Sequence, residues 1–163
     1  PRPGDRTRPS GISSMNTPRT VQRVVLIDDS ENDNFFHEIA LRKSGFSGEI
    51  VIFESGERAL DFLLREPDTV STMVFLDINM PGMNGFEVAR ALSERLPAQA
   101  ELQLNILTSS AWSVDKAAAE SIDLIQNYLV KPLTQEMVAG LIAREDIGVC
   151  PVVGIRQRMA HNP

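Results

Sequence analysis

The chain has 163 residues, 42% of them apolar, which suits one domain of about 120 residues with a true core and ragged ends. Its formal charge of −6 is uneven: Arg2, Arg6, Arg8, Arg19 and Arg23 against Asp5 give the first 23 residues +4, leaving −10 on an acidic remainder that argues against nucleic acid as a direct partner. Cys150 is the single cysteine, so no intramolecular disulfide can form and a reducing, cytoplasmic setting fits; no apolar run approaches the roughly 18 residues of a membrane span, and no signal-peptide core is present.

Residues 1–20 are rich in Pro, Gly, Ser, Thr and Arg, and are read as a disordered, solvated segment, with Met15 a candidate natural start behind a leader. The domain is expected over 21–145. Its first apolar run, 24–27, predicts a strand that ends on Asp28 and Asp29. Ser30, with Asp33 three residues on, marks the start of a helix over 31–43. Phe35, Phe36, Ile39 and Ala40 form its expected apolar stripe, His37 falls on its outer face, and Gly45 ends it. A second strand is expected at 49–53. The second helix buries Ala59, Leu60, Leu63 and Leu64 and stops at Pro67.

The third strand, 73–77, ends on Asp77 and runs into the loop Asn79-Met80-Pro81-Gly82-Met83-Asn84-Gly85. Asn84 and Glu87 predict a capping box for a helix that repeats Val88, Ala89, Leu92 and Leu96. A fourth strand at 105–108 ends on Thr108, and an alanine-rich fourth helix is expected near 114–121. A fifth strand at 127–130 leads to Lys131, and a fifth helix after Thr134 buries Met137, Val138, Leu141 and Ile142. In the tail, 146–163, the apolar stretch 149–155 is broken by Pro151 and Gly154, which favours disorder or loose packing over an added strand or a dimer arm.

Short continuous apolar strands separated by amphipathic helices predict a parallel sheet covered on both faces. The expected architecture is α/β, five-stranded, doubly wound and flavodoxin-like, in the order 2-1-3-4-5, with the switch point between strands 1 and 3. Ligands of such sheets sit at the carboxyl ends of the strands, where Asp28, Asp29, Asp77, Thr108 and Lys131 all fall. Carboxylates about 4 Å apart repel by on the order of 4 kcal/mol per pair at an effective dielectric of 20. A hard divalent cation relieves that cost. Mg2+ suits an all-oxygen set, and no His or Cys suggests zinc. Asp77 is the best nucleophile, since a carboxylate attacking phosphorus gives an aspartyl phosphate. Lys131 and Thr108 would meet the phosphoryl oxygens, and Pro132 stiffens the turn that aims the lysine, with a cis bond expected there. Taken singly, Asp28 and Asp29 could be helix N-terminal acids, Thr108 a turn cap, and Tyr128 or Trp112 ordinary structural aromatics.

The combination Asp28-Asp29, the run at 77–85, Thr108-Ser109 and Lys131-Pro132 resembles the receiver domain of two-component response regulators, of the stand-alone, chemotaxis-receiver kind. The resemblance implies that Asp77 is the phosphoacceptor. It implies that Asp28, Asp29, Asp77 and the backbone carbonyl of Asn79 bind Mg2+, and that Thr108 and Lys131 contact the phosphoryl group. Ser109 matches the small residue after the switch hydroxyl, Tyr128 the aromatic switch, and Asn79 and Ser110 the positions that tune hydrolysis. The implied donor is a sensor histidine kinase or a histidine phosphotransfer protein, docked on the helix 1 face near Phe35 and Phe36. About 20 residues after the last helix are too few for an output module, so, unless the chain is a fragment of a longer one, signalling to a downstream protein by contact, or by a phosphorylation-dependent homodimer, is expected. Beyond self-phosphorylation from small donors and self-dephosphorylation, no enzymatic activity is expected. The competing readings are a receiver-like interaction module that is never phosphorylated, and an aspartyl-phosphate phosphatase. The latter is disfavoured because its Asp-x-Asp motif belongs after the first strand and no cap domain is visible.

Overall fold

In the computed structural model the described residues are 20–66, 69–98, 100–109 and 121–146. They alternate strand and helix: β1 Arg23–Ile27, α1 Glu31–Lys43, β2 Glu49–Phe53, α2 Gly56–Arg65, β3 Thr72–Asp77, α3 Gly85–Arg95, β4 Leu102–Thr108, β5 Ile125–Val130 and α4 Gln135–Asp146. The helix expected near 114–121 falls almost wholly outside the described residues. So do Ser110, Trp112, Pro67, Cys150, His161, residues 1–19 and the tail beyond 146.

The five strands form one parallel sheet in the order β2-β1-β3-β4-β5, as expected for the doubly wound architecture. Alternate residues of the central strands feed opposite faces. Val25, Ile27, Val74, Leu76, Leu104 and Ile106 pack with Ala59, Leu60 and Leu63 of α2 and Val88, Ala89 and Leu92 of α3. Val24, Leu26, Met73, Phe75 and Leu107 pack with Leu41 of α1 and Val138 and Leu141 of α4. This two-sided covering is why the central strands carry no alternation of polar and apolar residues.

Local capping follows the sequence closely. Ser30 Oγ accepts the Asp33 N–H at 3.3 Å. Asn84 and Glu87 form the reciprocal capping box of α3, and Thr134 Oγ1 accepts the Met137 N–H at 3.2 Å at the start of α4. Gly45, at φ 92°, follows the last turn of α1 in a conformation that disfavours side chains. The Lys131–Pro132 peptide bond is cis.

Three expectations are corrected. The stripe proposed for α1 is rotated: Phe35 and Phe36 are 58% and 61% exposed, and the buried residues are Asn34, His37, Ala40 and Leu41. His37, expected on the outer face, is 2% exposed. The cause is a polar anchor, Asn34 Nδ2 donating to the Asp28 carbonyl at 2.8 Å, which turns the 34-37-41 face toward the sheet. Finally, β4 and β5 begin at Leu102 and Ile125, before the apolar runs at 105 and 127. Backbone pairing extends β4 through polar Gln103, opposite Met73, and β5 back to Ile125, opposite Leu104, past Gln126 at a register irregularity, where apolar content alone marks no strand.

Candidate functional site

The site assembles because parallel strands end together. Ile27 pairs with Leu76, so Asp28 leaves β1 level with Asp77 at the end of β3. Asp77 pairs with Leu107, Thr108 pairs with Val130, and the Lys131 N–H donates to the Thr108 carbonyl at 2.9 Å. Asp28, Asp29, Asp77, Thr108 and Lys131 therefore share one rim. Gly85 lets α3 begin tightly against it, since a Cβ there would collide with the Asp77 carbonyl oxygen.

One carboxylate oxygen from each of Asp28, Asp29 and Asp77 lies within 4.8 Å of the others. Asp28 and Asp77 are buried and Asp29 is exposed. The Asp28 carboxylate is already engaged, accepting the Ser30 N–H at 2.9 Å and the Lys131 ammonium at 2.5 Å. Asp77 differs. Its Oδ1 is buried and accepts no hydrogen bond, although Lys131 Nζ stands 3.4 Å away. A buried carboxylate oxygen without a hydrogen bond is costly to leave in that state. Together with an all-carboxylate donor set, it fits a hard divalent cation such as Mg2+.

The electrostatics are strongly coupled. Burial raises the Asp77 carboxyl above the ordinary carboxylate range; Lys131 pulls it back, Asp28 pushes it further up, and the Asn79 backbone N–H favours the charged form. Burial works against the charge on Lys131, yet its hydrogen bonds to Asp28 and Asp33 win and hold it above the ordinary lysine range. The ammonium is firmly cationic and sits among three carboxylates: Asp28, Asp33 and Asp77.

Thr108 is buried at the end of β4. Tyr128 pairs with Ile106 in register and so shares the sheet face of Thr108, two residues earlier along its strand, and it is 38% exposed. Asn79 and Ser109 lie at the exposed rim.

Sequence reasoning missed three members of this neighbourhood. Asp33 was read only as a helix-cap residue, yet its Oδ2 accepts from Lys131 at 3.0 Å. Asn34 holds the Asp28 carbonyl. His37 lies beneath, its Nδ1 buried without a hydrogen bond; burial pushes its imidazole below the ordinary range, with Asp28 opposing, Lys131 adding to the fall and Asp33 opposing. The one available signal was an i, i+3, i+4 pattern of polar residues at 30, 33, 34 and 37, which an apolar search passes over. A further contact lies at the rim: the Glu57 carboxylate of α2 accepts the Met83 N–H at 2.9 Å and the Ser55 hydroxyl at 2.8 Å, tying α2 to the loop after β3.

Comparison with known proteins agrees with this geometry. The response regulator receiver domain family matches residues 24–143. The chain is 34% identical over 104 residues to the response regulator protein FleR of Pseudomonas aeruginosa, an alignment covering 63% of this chain and 20% of FleR. The chain thus spans about a fifth of that relative's length. Among solved structures, a two-component response regulator from Cytophaga hutchinsonii aligns with a TM-score of 0.66 and 30% identity over 78% of this chain and 98% of that one. A response regulator receiver protein from Dyadobacter fermentans aligns with a TM-score of 0.65 and 29% identity, over 76% and 96%. No helix among the described residues is long and apolar enough to cross a membrane. With the family match running from β1 into α4 and the ends of β1, β3, β4 and β5 meeting at one acidic rim, the chain belongs to the response regulator receiver domain family.

Proposed function

We propose that the chain accepts a phosphoryl group on Asp77 from a histidine kinase or a histidine phosphotransfer protein, and signals by a phosphorylation-dependent change in protein contacts. The support is the state of Asp77: a buried carboxylate whose Oδ1 accepts no hydrogen bond, beside a firmly protonated lysine and two further acids. A carboxylate oxygen of Asp77 attacks phosphorus. The bond from phosphorus to the donor nitrogen, or to the oxygen of a small acyl phosphate, breaks, and its electron pair leaves with the donor. Later attack by water on phosphorus returns inorganic phosphate and the free carboxylate.

Asp28, Asp29, Asp77 and the backbone carbonyl of Asn79 would hold Mg2+. When bound, the ion cancels charge on the carboxylates and the entering phosphoryl group. Lys131 is close enough to pair with one phosphoryl oxygen, and Thr108 supplies a hydroxyl to another. In the phosphorylated state Thr108 draws toward the phosphate and Tyr128 turns inward into the space it leaves. A shift from 1:99 to 99:1 needs about 5.5 kcal/mol, and two charge-assisted hydrogen bonds at roughly 1.5–3 kcal/mol each are of that order. The exposed Phe35 and Phe36, packed edge to face at 5.6 Å on α1, offer the donor an apolar docking surface beside the rim.

The test is labelling by acetyl phosphate with Mg2+. The parent becomes labelled and Asp77→Asn does not; equal labelling of the two ends the assignment. A parent that takes no label and shows no backbone spectral change with beryllofluoride is an unphosphorylated module. Steady turnover of a small phosphate ester marks a phosphatase.

A further inference from the structure

We propose that Asp33 is a positioning residue that parks Lys131 in the resting state, so that each phosphorylation must first break the Asp33–Lys131 ion pair. The inference rests on the phosphoacceptor reading of Asp77.

Lys131 Nζ donates to Asp28 at 2.5 Å and to Asp33 at 3.0 Å, while Asp77 Oδ1 is a looser partner at 3.4 Å. An ammonium has three donors, and two are committed away from the carboxylate that is to react. The two committed partners are not alike. Asp28 is a buried member of the acid cluster. Asp33 lies outside that cluster, on the second half of the first turn of α1, and its side chain is 42% exposed. Its backbone N–H is capped by Ser30, which holds Asp33 in the first turn of α1. A phosphoryl group on Asp77 brings new anionic oxygens toward Lys131, and the half-exposed Asp33 is the partner the lysine can release most cheaply. Water solvates Asp33 once the pair opens. The structure thus places a competitor for the lysine within the helix that also presents Phe35 and Phe36.

The expected effect of removing that competitor is a gain. Asp33→Ala becomes labelled by acetyl phosphate with Mg2+ about two- to fivefold faster than the parent. It binds beryllofluoride tighter by the same factor, which is what an exposed ion pair of roughly 0.4–1 kcal/mol corresponds to at 1.36 kcal/mol per tenfold. Asp33→Glu, which restores a carboxylate within reach, returns close to the parent rate. Glu31→Ala, which removes an exposed acid from the same turn without touching Lys131, stays at the parent rate. Asp33→Asn, which keeps the side-chain shape, gives a gain in the same direction and guards against a folding defect in the alanine variant. A parent that labels while Asp33→Ala labels no faster sinks the parking role alone. Equal gains in Glu31→Ala and Asp33→Ala also overturn it, because they reduce the effect to loss of negative charge. A parent that never labels removes the phosphoacceptor reading and this inference with it.

Discussion

β3 and β5 supply opposite sides of the same rim, yet they are built differently. All six residues of β3 are buried, and it is paired on both edges, by β1 and by β4. β5 pairs only with β4 among the described strands, with a register irregularity at Leu104/Asn105, and its residues alternate between half-buried and exposed. The carboxylate proposed to react is carried at the end of a strand buried throughout and paired on both edges. The lysine and the aromatic proposed to respond follow or lie on the edge strand, which has room to shift. Rigid seating of the acid and loose seating of the reporter is what a switch needs: geometry must be preserved where the bond forms and must change where a partner reads it.

Breaking the comparison at its strongest point means removing the acid itself. Asp77→Asn abolishes labelling by acetyl phosphate. The same variant melts higher than the parent at neutral pH, for a reason whose sign can be stated. The folded state raises the Asp77 carboxyl, mainly through burial. A raised pKa means the folded state favours the protonated form; that stability is present below the unfolded pKa and is lost as pH rises through the folded one. Substitution by Asn removes the penalty, so the difference in melting temperature between variant and parent is largest at neutral pH and shrinks in acid.

Next in size is the packing of the two strands. Leu76→Ala, in the fully buried centre of β3, costs about 2–5 kcal/mol in urea unfolding. Val130→Ala, on the exposed side of β5, costs well under about 1 kcal/mol. Comparable losses would erase the contrast. Between them lies the polar tie joining the edge to the centre. Asn127 Nδ2 donates to Asn105 Oδ1 at 2.7 Å, and Asn105 Nδ2 donates to the Val74 carbonyl at 3.3 Å. Asn127→Ala leaves a fully buried amide oxygen unpaired and is expected to cost about 1–2 kcal/mol by the same measurement. It also raises amide exchange in β5 ahead of β3. The smallest effect is expected at Tyr128→Ala: labelling of Asp77 continues at the parent rate, while the beryllofluoride-induced spectral change at β5 is lost.

How much of this was legible in the chain depends on what each feature is made of. The rim was legible because each of its members ends, or follows within two residues, an apolar run, and parallel strands deliver their carboxyl ends to one edge. The boundaries of β4 and β5 were not, because Gln103 is in the sheet by virtue of its backbone and Gln126 falls at a register irregularity that no apolar pattern marks. The face of α1 was misjudged for a related reason. Phe35 and Phe36 dominate any apolar count, but Asn34 reaching the Asp28 carbonyl decides the rotation, and His37 is carried inward with it.

The positions of the strands along the chain and the identity of the residues at their ends were therefore set by local pattern: runs of apolar side chains, caps and turns, each readable within a few residues. What only the folded molecule decided is which long polar side chains meet across that edge. Lys131 finds Asp33 and Asp28 across 98 and 103 residues of chain. Such a pairing depends on the rotation of a helix, the reach of an ammonium and the depth of burial around it, and none of these is written in the spacing of residues along the chain.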